Sequence, residues 1–178
     1  MKMKHLILDT ETTALVSNSL LDQKYQPRII EFYGCLVDDY GGLIRELEFF
    51  VDPGMPIPAE VTKITGIKPE DLKGAQPWRA HAPEVKALIE EAHIVVAHNL
   101  SYDSFVIGSE MQRLGREVSW PFGVCTVEST EHLKGHRLKL SDLHELLFGE
   151  PFTGAHRARV DVAALKRCYF ELINRGEI

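Results

Sequence analysis

Asp9 and Glu11, in the run Asp9-Thr10-Glu11-Thr12-Thr13, follow directly on a short apolar segment, residues 5–8. Strand residues two apart face the same way and lie ~7 Å apart, so these carboxylates converge on one side of a sheet. Two carboxylates so placed repel each other unless they share a proton or bind cations. Magnesium or manganese, which take oxygen ligands, suit such a pair. A solvated acidic strand end accommodates it as well. Asp103 opens a helical segment just past a second apolar run, residues 94–97, and is reached through His98-Asn99-Leu100-Ser101-Tyr102. A carboxylate in a first helical turn also has a plain role, complementing the helix dipole. His156 and Asp161 form a third group. Five residues of helix turn ~500°, which puts two side chains on different faces. The pair can converge only if His156 lies in the loop before a helix and Asp161 inside it, and the glycine-containing stretch 149–155 allows that. A histidine before a helix is also a common surface residue.

The elements that must carry these groups can be read coarsely. Residues 5–8 read as a buried strand, and 12–27 as a long polar loop. Residues 28–37 and 43–51 are rich in β-formers and are separated by Asp38-Asp39-Tyr40-Gly41-Gly42, so they read as a hairpin. Pro53, Pro56 and Pro58 interrupt regular structure, and 59–64 reads as a short helix stopped at Gly66. Residues 77–92 read as a helix with Val85, Leu88, Ile89 and Ala92 on one face. The apolar run 94–97 reads as a buried strand. A helix is expected over 102–114, with Phe105, Val106, Met111 and Leu114 as core candidates. A short strand over 124–126, a helix over 138–147 and a long helix over 158–174, closed by Gly176, complete the chain. A hairpin followed by strand–helix alternation implies a mixed sheet flanked by helices.

Bulk properties bound the function. At 178 residues the chain has the size of one domain with one core. No apolar run reaches the ~18 residues of a membrane span, and the four-residue run before Asp9 is too short for a secretory signal. A cytoplasmic protein is expected. Twenty Lys and Arg stand against 26 Asp and Glu, a net charge of −6. A protein that holds nucleic acid mainly by charge is basic. If this one binds nucleic acid, bound metal ions are the obvious agents to neutralise phosphate. Cys35, Cys125 and Cys168 are three in number and lack CxxC spacing, so they read as buried thiols rather than disulfides or zinc ligands.

Taken together, the order Asp-x-Glu, Asp, His-x4-Asp resembles that of the DEDD-type 3′–5′ exonucleases with a histidine in the last motif, the family of the bacterial DNA polymerase III proofreading subunit and of exonuclease X. DTETTAL resembles the first motif, PRIIEFYGCLV the second strand, and PIPAEVTKITGIKPEDL the segment leading into the substrate cleft. VVAHNLSYDSFVI resembles the second motif, and LKLSDLHELLFG and then GAHRARVDVAAL resemble the helix and the third motif. The resemblance spans nearly the whole chain. It implies a single exonuclease domain over residues 1–178 with an RNase H-like α/β fold: a central mixed five-stranded sheet flanked by helices.

The resemblance further implies that Asp9, Glu11, Asp103 and Asp161 hold two divalent ions, Mg²⁺ or Mn²⁺, with His156 as general base. Two such ions ~4 Å apart assist both attack and departure at a phosphodiester. A histidine with an ordinary pKa near ~6.5 can take a proton from water at neutral pH. The product is a nucleoside 5′-monophosphate. In relatives, positions equivalent to Thr12, Thr13 and Leu15 touch the 3′ nucleotide, and Thr10, Thr65, Asn99 and Tyr102 join them as candidate substrate contacts. Tyr102 and Phe105 can stack on a base, although Phe105 also suits the core. Lys134, His136, Arg137 and Lys139 form a basic cluster that can guide a strand or be a solvated face, and Arg157 and Arg159 share that ambiguity.

Three positions depart from the family pattern. Ala14 replaces a frequent glycine. Thr65 replaces a histidine that commonly lies against the terminal nucleotide. Cys125 replaces an aspartate, and Cys-Thr at this place resembles the exonuclease X branch. The chain ends directly after the last helix, which favours a free-standing nuclease, or one that meets a polymerase or repair partner through its folded surface. DNA 3′ ends, single-stranded or frayed, are the expected substrate, with short RNA as the alternative. An aspartyl phosphatase of the Asp-x-Asp-x-Thr kind fits less well, since Glu11 stands at its second aspartate and His156-x4-Asp161 goes unused. A nuclease-fold binding module without turnover usually lacks acidic ligands that are all present here.

Overall fold

The computed structural model describes residues 2–15 and 26–178. Six strands form one mixed sheet among these residues: β1 (His5–Thr12), β2 (Ile29–Val37), β3 (Leu43–Asp52), β4 (Gln76–Pro77), β5 (Ile94–Ala97) and β6 (Phe122–Cys125). Their order across the sheet is β4-β3-β2-β1-β5-β6. β1, β2 and β3 are antiparallel in sequence, while β5 and β6 run parallel to β1. The five expected strands are thus joined by a sixth. β4 pairs only Val51 with Gln76 and Asp52 with Pro77, and a two-residue edge strand bearing proline leaves no periodicity to read.

Helices cover both faces. The even-numbered side chains of β1, Leu6 and Leu8, pack with Phe32, Leu36 and Val95 against α2 (Trp78–Glu91) and α3 (Leu100–Gln112). The odd-numbered Ile7 packs with Tyr33, Cys35 and Val96 against α5 (Leu140–Phe148) and α6 (Ala158–Arg175). This two-sided burial explains the continuous apolar runs of the central strands. Val85, Leu88, Ile89 and Ala92 face the first core as expected, and so do Val106 and Met111. Phe105 is only partly buried there, and Leu114 is exposed because α3 ends at Gln112 and the chain turns away. Cys35 and Cys168 are buried, Cys125 is half-buried, and all three are free thiols.

Several boundaries move. β1 does not stop at Leu8: pairing of Asp9 with Tyr33 and of Glu11 with Glu31 carries it to Thr12. Residues 16–25 of the expected 12–27 loop lie outside the described residues. α3 starts at Leu100 rather than Tyr102, and α5 starts at Leu140, just before Ser141. The hairpin turn is closed by Asp38, whose carboxylate accepts from the amides of Tyr40 (3.0 Å) and Gly42 (2.8 Å). The short helices α1 (Ala59–Thr65) and α4 (Thr126–Ser129) sit in the connections, and Gly66, at φ 73°, ends α1 in the left-handed region.

One irregularity bears on the site. The β1–β2 register shifts between Glu11 and Thr12, since Glu11 faces Glu31 but Thr12 faces Ile29. Ile30 is the extra residue of a bulge. Alternation breaks there: Ile29 joins the α2–α3 core, while Ile30 turns into a third cluster with Ile67 and Leu72.

Candidate active site

The parallel strands β1, β5 and β6 all end at one edge of the sheet, and the acidic residues gather there. Asp9 and Glu11 project from the α6 face of β1, as their spacing requires. Asp161 meets them from the first turn of α6. Each of the three offers a carboxylate oxygen, and these atoms lie within 4.8 Å of one another. Asp103 comes from the first turn of α3, on the opposite layer, and is buried. Its Oδ1 accepts a 2.8 Å hydrogen bond from the Thr10 hydroxyl. Thr10 alternates with Asp9 and Glu11 along the strand, so it holds the carboxylate that they cannot reach from their face.

Burial and mutual repulsion dominate the electrostatics. Burial pushes the Asp9 carboxyl well above its ordinary range, and the nearby charges of Asp103, Glu11 and Asp161 add to the effect. Glu11 rises to about 8 for the same reasons, with Asp161 the leading charge. Asp103 rises to about 7 through burial, opposed by its bond from Thr10. Burial also raises Asp161. Its Oδ2 accepts from the His156 amide at 2.9 Å, but its Oδ1 is buried with no hydrogen-bond partner. Buried polar atoms are normally satisfied. An all-oxygen donor set with one orphaned oxygen fits a hard divalent cation, which would hold all the carboxylates ionised.

His156 lies in the loop before α6, the arrangement that its spacing to Asp161 demands. It is exposed and sits at φ 69°, in the left-handed region. Asn99 is the other described non-glycine residue with positive φ, at 85°, and it precedes α3 and Asp103. Both strained residues thus stand at helix starts that deliver an acid to the site. The Asn99 side chain accepts from the Ser101 hydroxyl at 3.2 Å.

The remaining candidates differ in their surroundings. The hydroxyls of Thr12 and Tyr102 are hydrogen-bonded to each other and lie 2.8 and 2.9 Å from the Ala14 carbonyl. Thr13 is buried, its hydroxyl accepting from the Arg28 amide at 3.0 Å. Leu15 is 84% exposed. Thr65 is buried away from solvent: its hydroxyl donates to the Val61 carbonyl (2.9 Å) and accepts from the Ile67 amide (3.1 Å). These bonds close the end of α1.

Two features escaped sequence reading. Glu31 is a buried acid directly opposite Glu11 on β2, and Arg157 forms a forked ion pair with it, at 2.9 to 3.2 Å. The signal was a lone glutamate inside the apolar run RIIEFYGCLV. His98 is the second. Its Nε2–H donates to the Leu138 carbonyl at 3.0 Å and its Nδ1 accepts from Thr126 at 2.9 Å, tying the end of β5 to the loop before α5. Burial pushes the His98 pKa down. Arg159 is not a free surface cation either: it pairs with Glu46 and Glu48 and lies over the Tyr33 ring.

A mixed sheet with helices on both faces and an acidic edge at β1, α3 and α6 is the architecture of a nuclease domain, and comparison with known proteins agrees. The RNase_T exonuclease family model matches residues 6–169. The chain belongs to this exonuclease family. It is 30% identical over 174 residues to a PolC-type DNA polymerase III of Listeria monocytogenes, covering 95% of this chain and 11% of the polymerase. It is 26% identical over 179 residues to the 3′-5′ exonuclease DinG of Bacillus subtilis, covering 98% of this chain and 18% of DinG. The chain therefore spans between a tenth and a fifth of these relatives' length. Among solved structures, the fold matches exonuclease X in complex with a 5′-overhanging duplex DNA (TM-score 0.68, 21% identity, 97% and 93% of the two chains). It also matches the nuclease domain of 3′hExo, a DEDDh family member bound to rAMP (TM-score 0.77, 15% identity, 98% and 94%). The fold is the RNase H-like fold of these exonucleases.

Proposed function

We propose that residues 1–178 form a single exonuclease domain that removes nucleotides from the 3′ end of DNA, preferring single-stranded or frayed ends, and releases nucleoside 5′-monophosphates. The observation that carries this reading is the convergence of Asp9, Glu11 and Asp161 oxygens within 4.8 Å, with the orphaned Oδ1 of Asp161 among them. Asp9, Glu11, Asp103 and Asp161 hold two divalent ions, Mg²⁺ or Mn²⁺. When bound, these ions neutralise phosphate and lower the pKa of the attacking water. They also reconcile an acidic chain with an anionic substrate.

The chain's own residues do the rest. His156, exposed at the rim, takes the proton of the attacking water as general base. The His156 amide fixes one oxygen of Asp161, and Thr10 fixes one oxygen of Asp103, so neither acid rotates freely. Leu15, Thr12, Thr13, Asn99 and Tyr102 border the mouth where the terminal nucleotide lies. Thr65, whose hydroxyl bonds Val61 and Ile67, acts on the substrate chiefly through the fold of the α1 end. The likeness to PolC-type DNA polymerase III and the fold match to exonuclease X bound to duplex DNA support work on DNA, and the former supports a polymerase partner.

A second reading, an exoribonuclease acting on short RNA, draws support from the fold match to 3′hExo bound to rAMP. Discrimination rests on contacts to the 2′-hydroxyl. The test uses 5′-labelled single-stranded DNA and its RNA counterpart with Mg²⁺, Mn²⁺ or EDTA. The expected result is a ladder shrinking from the 3′ end of DNA, lost in EDTA and reduced about 10²–10⁴-fold in His156→Ala. Cleavage of RNA alone would establish the second reading. Cleavage of neither would sink both.

A further inference from the structure

The rows of the sheet that carry the acids continue sideways, and α6 docks on them. Glu11 on β1 faces Glu31 on β2, which faces Phe50 on β3. Arg157 lies across this row: its guanidinium forks onto Glu31 and sits 5.4 Å from the centre of the Phe50 ring. Asp9 faces Tyr33, which faces Glu48, and Arg159 lies across that next row in the same manner, over Tyr33 and paired with Glu48. Glu31 has a further partner. It accepts from the Ala158 amide at 3.0 Å, one of the free donors at the start of α6. No side-chain cap is supplied by Arg157 at the helix's own N-cap position, so an acid from the sheet fills that role.

We propose that Glu31 and Arg157 are positioning residues for the hydrolysis: together they clamp the segment His156–Ala158 to the same sheet row that presents Glu11. This inference rests on the exonuclease reading above. His156 occupies a left-handed conformation that a non-glycine residue does not hold by itself, and its side chain is exposed. The bond from its amide to Asp161 fixes it from one side. The clamp on residues 157 and 158 fixes it from the other. The imidazole is thereby delivered to the rim at a set distance from the Asp9–Glu11 edge. Glu31 is an acid in an acidic cluster but is occupied by the protein's own cation, so it positions the base without joining the metal ligands. A misplacement of ~1 Å at a reacting group costs about 10²-fold in rate, which sets the effect to expect.

The test compares wild type with Glu31→Gln, Arg157→Met, Arg157→Lys, His156→Ala and the double variant Arg157→Met/His156→Ala. Arg157→Met keeps an apolar stem over Phe50 and removes the fork; the side chain is 44% exposed, so this variant serves if Glu31→Gln fails to fold. Expected are a fall in kcat of about 10²-fold, an unchanged KM for single-stranded DNA, and unchanged Mn²⁺ binding by calorimetry. Arg157→Lys should recover part of the loss. In the double variant the rate should equal that of His156→Ala alone, because a positioning residue has nothing left to position. Independently of activity, amide exchange at Ala158 in EDTA should quicken about tenfold or more in Arg157→Met. An active wild type with unaffected variants, or losses that multiply in the double variant, would overturn this inference alone. A wild type that cuts neither DNA nor RNA would overturn the exonuclease reading and the clamp with it.

Discussion

Two sets of carboxylates are taken out of water in this protein, and they are treated differently. Glu31 and Glu110 are each almost fully buried, and each is met by arginine: Glu31 by Arg157, and Glu110 by Arg28 at 2.7 Å and Arg113 at 3.2 Å. Asp9, Glu11 and Asp161 are less buried, yet among the described residues no cation of the chain forms an ion pair with them; burial pushes all three pKa values upward, and neighbouring carboxylates push Asp9 and Glu11 further. A buried charge without a partner is costly. Paired acids brace the fold. Unpaired ones, crowded within 4.8 Å, leave room for charge from outside.

The contrast can be broken most directly at its centre. Asp9→Asn should lower metal-dependent cleavage by at least about 10³-fold, since metal assistance is worth several kcal/mol. The same change should raise the melting temperature in EDTA by removing a repelling charge, and should weaken the stabilisation that added Mn²⁺ gives to wild type. Calorimetry with and without metal checks both signs. Glu110→Ala makes the opposite case. It should cost about 3 kcal/mol of stability by removing the buried carboxylate that Arg28 and Arg113 share, with cleavage per folded molecule unchanged.

The pH response separates the two sets further. Glu11, held to about 8, and Asp103, held to about 7, bind protons more tightly folded than unfolded, where carboxyls titrate near ~4. Their contribution to stability is therefore complete below about pH 4 and is lost as pH rises toward 8. The metal-free protein should melt several degrees lower at pH 8 than at pH 5, at about 2–4 °C per kcal/mol for a chain of this size. Saturating Mg²⁺ should flatten that slope by holding the acids ionised. Smallest of all, Leu15→Ala should change stability by less than about 0.5 kcal/mol, because Leu15 is exposed. A raised KM for single-stranded DNA in that variant would sharpen the assignment of the site's mouth.

Much of this was legible in the sequence, for reasons that differ by element. Spacing alone put Asp9 and Glu11 on one face, because strand alternation is strict, and put His156 before α6 rather than within it. The apolar runs of β1 and β5 and the face of α2 needed only periodicity. β4 was invisible, since two residues carry no period. The extension of β1 to Thr12 was missed because polar residues there are held by pairing with β2, not by their own preferences. Glu31 and Arg157 were missed as a pair because they are 126 positions apart and only the docking of α6 joins them. Leu114 looked apolar enough for the core, but α3 ends before it.

The bulge at Ile30 makes chain length itself a constraint. Ile29 and Ile30 are adjacent yet enter different cores, and everything after them in β2 keeps the parity that sets Glu31 opposite Glu11 and beneath Arg157. Exchanging Ile30 for valine trims one methylene from a small cluster. Deleting it would leave Ile29 opposite Thr12 in regular register, but it shortens the chain between Pro27 and Glu31 and leaves Ile67 and Leu72 without their anchor. At this corner the molecule should accept altered letters far more readily than a missing one.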